Sequence, residues 1–364
     1  MRGSGYTFLL IITQFLSISV FGSAPKYSNE FLSLGVGARA FGMSNVQTAI
    51  VNDVTAGYWN PAGLTNIKSD RQLSLMHAEY FAGIAKYDYG AIAMPLDSNR
   101  RLAFSLIRFG VDDIPNTIEL IDANGNIDYG KITSFSVADY AFILSYADKV
   151  NNKVGLSYGV NAKIIHRIVG DFAKAWGFGV DVGLQLDKKK WKLGLMGRDI
   201  TSTFNAWNFT LSDRVKEVWQ LTDNIIPQNH LELTLPKLIL GGAYKLKISP
   251  KFELLTSIDL DMTFDGQRNV LLGSKFVNID PHWGFELGYR GIVYLRGGLG
   301  NYQRATDIES GSLVSDFQPN IGLGLRIKKL RIDYALTDIG DQSVALYSNV
   351  FSLRIDFEQK KDRR

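Results

Sequence analysis

The stretch "SIDLDMTFDG" at 257–266 holds the most suggestive chemistry in the chain. Asp259, Asp261 and Thr263 have the D-x-D-x-T spacing of a phosphatase nucleophile loop, and the same run imitates a calcium loop. Both readings fail on local pattern. A period of two puts the two aspartates and Thr263 on one face, opposite Ile258, Leu260 and Met262, so they belong to the polar side of a strand. Gly266 also comes two positions too late for a calcium loop. The four histidines, His77, His166, His230 and His282, are scattered with no metal-ligand spacing. There is no cysteine, which excludes disulfides, thiolate metal sites and a cysteine nucleophile. "GVGARAFG" (35–42) is glycine-rich, but it lacks G-x-G-x-x-G and no βαβ alternation follows. The sequence therefore points to no enzyme, no cofactor and no metal.

The elements that would have to position these residues are strands. In "KVGLSYGVNAKIIH", Val154, Leu156, Tyr158, Val160, Ala162 and Ile164 alternate with Lys153, Gly155, Ser157, Gly159, Asn161 and Lys163. "WGFGVDVGLQLD" (176–187), "HWGFELGYR" (282–290) and "PNIGLGLRIK" (319–328) do the same, and weaker copies bring the count to about fifteen segments. An even number is expected of a closed bacterial barrel, so about 14 antiparallel strands are predicted, with 268–278 or 281–289 as the surplus segment. Tight turns (148–152, 186–190, 247–251, 327–330) alternate with polar stretches at 111–135, 200–234 and 300–316, which read as long irregular loops. Short turns on one side and long loops on the other are the pattern of a transmembrane outer-membrane β-barrel. The polar face, rich in Gly, Ser, Asp, Lys and Arg, reads as a wet lumen. Aromatics near strand ends (Trp176, Trp191, Tyr244, Trp283, Tyr347) read as interfacial girdles.

Composition fits this class. The 364 residues are 46% hydrophobic and 12% aromatic, with 35 glycines. A net charge of +4 is too balanced to argue for nucleic acid. Residues 1–24 read as a secretory signal peptide, with Arg2 ahead of the apolar run "YTFLLIITQFLSISVF". No later segment offers the roughly 20 consecutive apolar residues of a spanning helix. The organisation expected is a signal peptide (1–24), an N-terminal segment (25–70), a barrel (71–357) ending on Phe357, and a basic tail (358–364), in the bacterial outer membrane.

"LGVGARAFGMSNVQTAIVNDVTAGYWNPAGL" (34–64) resembles the N-terminal signature of the PorV/PorQ family of outer-membrane proteins, which are similar to the FadL barrels. The residues that carry the resemblance include Gly35, Gly37, Arg39, Ala40, Gly42, Met43, Ala49, Asp53, Trp59, Asn60, Pro61, Ala62, Gly63 and Leu64. Ser44 and Asn52 depart from it. "VADYAFILSYA" (137–147), "LPKLILGGAYKL" (235–246) and "ELGYRGIVYLRGGLG" (286–300) extend it over most of the chain.

The resemblance implies that the N-terminal segment is a plug in the lumen. Its small residues suit close backbone passage, and residues 31–64 are expected in the periplasmic half. Arg39 and Asp53 are candidates for buried pairing with lumen charges such as Asp181 or Glu286. Both termini are expected on the periplasmic side. The resemblance further implies an accessory of the type IX secretion system, or of a related attachment or motility complex, that binds protein partners or cargo. Trp207, Phe209 and Trp219 in the 200–234 stretch are the candidate contacts. The alternative is a FadL-like channel for hydrophobic small molecules. Outer-membrane lipid is the other expected partner, and no nucleic acid.

Overall fold

The computed structural model describes residues 28–121, 125–151, 154–188, 190–306, 312–337 and 348–358. The signal peptide, Tyr347 and all but Glu358 of the basic tail lie outside the described residues. Fourteen strands follow one another around a single antiparallel sheet: β1 Arg71–Tyr80, β2 Ala85–Pro95, β3 Arg100–Asn116, β4 Thr133–Asn151, β5 Leu156–Val169 and β6 Ala173–Asp187. β7 runs in two pieces, Trp191–Arg198 and Thr203–Phe209, and so does β8, Leu231–Thr234 and Lys237–Lys247. β9 Phe252–Thr263, β10 Asn278–Tyr289, β11 Val293–Thr306, β12 Leu313–Ile327, β13 Leu330–Thr337 and β14 Ser348–Phe357 complete it. β14 pairs back on β1, from Arg71 opposite Phe357 to Glu79 opposite Asn349, and the barrel is closed. Closure leaves no edge strand, as a lipid-embedded sheet requires.

The surplus segment is 268–278: apart from Asn278, the first residue of β10, only Leu272–Gly273 pairs there, against the start of β10. Connections at 96–99, 248–251, 290–292 and 328–329 are short, while those at the other end hold longer segments such as 117–132, 210–230 and 264–277. By the rule for such barrels, the short turns mark the periplasmic end.

The alternation is inside-out compared with a soluble sandwich. In β6, Trp176 is 56% exposed and Asp181 only 3%. In β12, Ile321, Leu323 and Leu325 face outward and Asn320, Gly322 and Gly324 face in. A sheet with apolar residues outside and polar residues inside is stable only with hydrocarbon around it. The barrel therefore lies in the outer membrane. Trp176, Trp191 and Trp283 stand on this outer face, and Trp191 packs against Tyr244 at 4.5 Å between ring centroids.

The three polar stretches are only in part irregular loops. β3 and β4 continue to Asn116 and from Thr133, and β11 and β12 remain paired up to Thr306 and Leu313. The 200–234 stretch contains the outer piece of β7, a nine-residue surface helix at Asp213–Leu221, and the outer piece of β8. Above the membrane both faces of a strand meet water, so side-chain alternation disappears while backbone pairing continues. The Asp213–Leu221 helix starts on Ser212, whose hydroxyl accepts from Val215 N at 3.3 Å.

Candidate functional site: the plug and its seat

Residues 28–70 fill the barrel. Two one-turn helices, α1 (Ala38–Phe41) and α2 (Ala56–Trp59), and a 3₁₀ turn (Pro61–Asn66) fold around a small apolar core that includes Val36, Val51, Val54 and Leu64. Gly35 (φ +105°) and Gly37 (φ +86°) take left-handed conformations that glycine adopts without strain. A Cβ on Gly35 would also come within 2.9 Å of Asn45 Oδ1 and 3.0 Å of the Trp59 ring.

The "WNPAGL" run closes this unit on the wall. Trp59 Nε1 donates to Val36 O at 2.9 Å. The Asn60 amide donates to Thr48 O at 2.9 Å and to Leu184 O of β6 at 3.0 Å, while its Oδ1 accepts from Ala62 N at 3.2 Å. Pro61 begins the 3₁₀ turn, where its missing N–H costs nothing. A Cβ on Gly63 would collide with Val51. Asn60 thus ties two parts of the plug to the barrel with one fully buried side chain.

The inward glycines of the wall are the seat for the plug, which corrects their reading as the lining of a wet lumen. Cβ atoms on Gly159 (β5), Gly183 (β6) and Gly241 (β8) would strike Pro61, Asn60 and Thr48. On the opposite side, Gly284 (β10), Gly298 (β11) and Gly322 (β12) leave room for Met43, Ser44 and Gly42. Any larger residue would push the plug backbone away.

Charge completes the attachment. Arg39 donates from Nε and Nη2 to the two Glu286 oxygens, at 3.0 and 3.2 Å. Glu286 also accepts from Arg296 Nε at 2.7 Å and Arg331 Nη2 at 3.1 Å. Asp53 pairs with Arg354 of β14 and accepts from Thr55 N at 3.0 Å. Burial alone would raise the Asp53 carboxyl; Arg354 and Arg39 outweigh it and hold the group below the usual carboxylate range. Of the two partners expected for the plug charges, Glu286 takes Arg39, whereas Asp181 pairs with Lys163 of β5 at 2.7 Å.

Asp259 is a further attachment point: its Oδ2 accepts from the backbone N–H of Gln47 and Thr48, each at 2.9 Å. Asp261 pairs with Lys237, and Thr263 accepts from Asn278 at 3.2 Å. The D-x-D-x-T run is therefore divided between plug and wall contacts. Among the described residues, no cluster of three or more His, Cys, Asp or Glu could hold a metal.

The plug does not stay in the periplasmic half. Ser28 donates to Glu232 at 3.1 Å, and Asn29 donates to Thr234 at 2.8 Å, both partners on the outer piece of β8. The first described residues thus lie in the extracellular half.

Trp207 and Phe209 are strand residues of β7 rather than loop residues. They alternate with exposed Ala206 and Asn208 and turn toward the mouth of the lumen. Trp207 stacks on Phe209 at 5.9 Å and lies under the Arg167 guanidinium at 5.0 Å. Trp219 belongs to the surface helix, and the three rings are not brought together among the described residues.

Several cavities remain beside the plug, two of which bear on function. One of about 90 Å³ is bordered by Tyr58, Lys163, Asp181, Arg198, Leu235 and Pro236. The other, about 360 Å³, opens at the periplasmic end beside Arg39, Glu286 and Arg354.

A closed barrel of 14 strands with an apolar outer belt and a folded luminal plug defines the protein as a plugged outer-membrane β-barrel. Solved structures of like fold include two toluene transporters and a hydrocarbon channel. TodX of Pseudomonas putida aligns with a TM-score of 0.56 at 14% identity, over 89% of this chain and 98% of that one. TbuX of Ralstonia pickettii gives 0.51 at 13%, over 89% and 99%. The monoaromatic hydrocarbon channel CymD gives 0.53 at 12%, over 89% and 98%. No protein-family model matches the chain, and no curated protein matches its sequence. The likeness is one of fold.

Proposed function

We propose that the protein is a FadL-like channel that carries hydrophobic small molecules across the outer membrane. The observation that carries this reading is an interruption of the β7–β8 ladder beside the 90 Å³ cavity. Between the pairs Arg198–Lys237 and Thr203–Thr234, four residues of β7 stand against two of β8. Asp199 and Ser202 take left-handed conformations (φ 52° and 57°), and Pro236 offers no N–H to the ladder. Leu235 and Pro236 border the cavity, and Ile200 is exposed on the outer face. An apolar solute entering from the extracellular mouth leaves the lumen sideways here, into hydrocarbon. Such a route needs no aqueous pore, so it is compatible with a plug that blocks hydrated solutes. Of the charges beside it, Lys163 is held between Asp181 and Asp199, and Arg198 donates to Tyr58 O at 3.1 Å. The shared fold with toluene transporters supports the same reading.

The test is uptake of radiolabelled toluene by cells whose outer membrane lacks other such channels. Expression of the protein should accelerate uptake, and deletion of Ile200 and Thr201, which shortens the bulge, should remove the gain without preventing barrel assembly. Equal uptake with and without the protein would refute the reading.

A second reading, a protein-binding accessory of the PorV/PorQ type, is favoured by apolar side chains held in water above the barrel. Ile225 is 91% and Phe276 87% exposed, both outside the membrane-spanning strands. On this reading a surface or type IX secretion component covers them. Affinity purification from native membranes, compared with an Ile225→Ser/Phe276→Ser variant, distinguishes it: a partner lost with the variant supports it, and an unchanged set of co-purifying proteins counts against it.

A further inference from the structure

We propose that the periplasmic vestibule is a binding site for a phosphate-type oxyanion. The inference stands on the charges of the lower lumen and does not depend on what the channel carries.

Register fixes the central feature. Arg326 of β12 lies directly opposite Arg331 of β13, and Arg331 lies directly opposite Arg354 of β14. Three guanidinium groups thus form one row across three neighbouring strands, all bordering the 360 Å³ cavity. Like charges directly opposite one another destabilise a sheet, so such a row needs an anionic counterpart.

The protein supplies only part of it. Glu286 and Asp333 serve Arg331, and Asp53 serves Arg354. Arg326 makes no ion pair among the described residues. The buried network as a whole counts four arginines (Arg39, Arg296, Arg331, Arg354) against three carboxylates (Asp53, Glu286, Asp333). Burying an uncompensated charge is costly. The Nε of Arg354 is also buried without a hydrogen-bond acceptor.

The turn below adds to the excess. Lys328 occupies a left-handed position (φ 53°), where a glycine or asparagine would be less strained, and Lys328 and Lys68 make no ion pair among the described residues. Around the whole cavity, nine Lys and Arg side chains face four carboxylates, and Asp53, Asp187 and Asp333 pair with three of the nine from just outside it, so cations remain in excess. Planar guanidinium forks beside mobile ammonium groups suit the oxygens of a phosphate. The phosphate can be free in the periplasm or part of a phospholipid headgroup at the inner rim.

The experiment uses the full chain in detergent at low salt. Titration with inorganic phosphate, followed by phosphorus NMR line broadening, is compared between wild type and an Arg326→Gln/Lys328→Gln variant. Neither residue has an ion pair to lose, and heat-modifiable gel migration verifies that the variant assembles. Saturable binding is expected, weakened by salt and about tenfold or more weaker in the variant. In parallel, nanodiscs containing phosphatidylglycerol are compared with phosphatidylcholine alone, with lipid retention read by native mass spectrometry. Phosphatidylglycerol retention that falls in the variant, without free phosphate binding, assigns the oxyanion to a lipid headgroup and supports the site. Binding of neither probe, or binding that the double substitution leaves unchanged, overturns it.

Discussion

Glu286 takes hydrogen bonds from three arginines, one from the plug and two from the wall. A Glu286→Gln substitution leaves those cations buried with less compensation. We expect a loss of about 3–5 kcal/mol, read as a lowered denaturation midpoint of the plugged protein. Asp53 gives a pH dependence. Its folded pKa is depressed, so its contribution is complete above the ordinary aspartate value of about 3.9. That contribution is lost as pH falls through the lower folded value. Protease sensitivity of the plug should therefore stay flat from neutral pH to about pH 4 and rise below it. An Asp53→Asn variant should be sensitive at neutral pH and lose that acid step. Arg39 and Asp53 were legible as isolated charges in a small-residue run. Their partners were legible only in part, because a strand's phase shows which residues face inward but not at which height they meet the plug. Asp259 shows the same limit: its inward direction follows from alternation, whereas its role as acceptor for Gln47 and Thr48 depends on tertiary placement.

At the scale of elements, the strands were the most legible part, because the period of two is imposed by hydrocarbon on one side and polar groups on the other. The same cue disappeared above the membrane, and the paired extensions of β3, β4, β11 and β12 therefore resembled loops. Wall glycines gave a misleading signal. Gly284 and Gly298 leave the lumen face without side chains, which looks like space for water, yet Met43 and Ser44 occupy that space. A Gly298→Val substitution tests this seating. It leaves the outer belt intact, so the barrel should still assemble and show heat-modifiable migration. The plug should be displaced, raising single-channel ion conductance in planar bilayers above the wild-type level. Wild-type conductance in the variant would mean that the plug tolerates a side chain there.

For the whole molecule, the proposed function requires a closed wall, a plugged lumen and an interrupted β7–β8 ladder to act as one device that excludes hydrated solutes and leaves an apolar route. The N-terminal segment is integral to it, since it reaches from Ser69, bonded to Asp356 near the periplasmic end, to Ser28 beside Glu232 in the extracellular half. The most direct measurement is simultaneous uptake of labelled toluene and labelled sucrose by cells carrying the protein as their only added channel. A plugged channel for hydrophobic molecules raises the toluene rate and leaves the sucrose rate at background. Entry of sucrose together with toluene would indicate an open pore, and an unchanged toluene rate would contradict the proposed function.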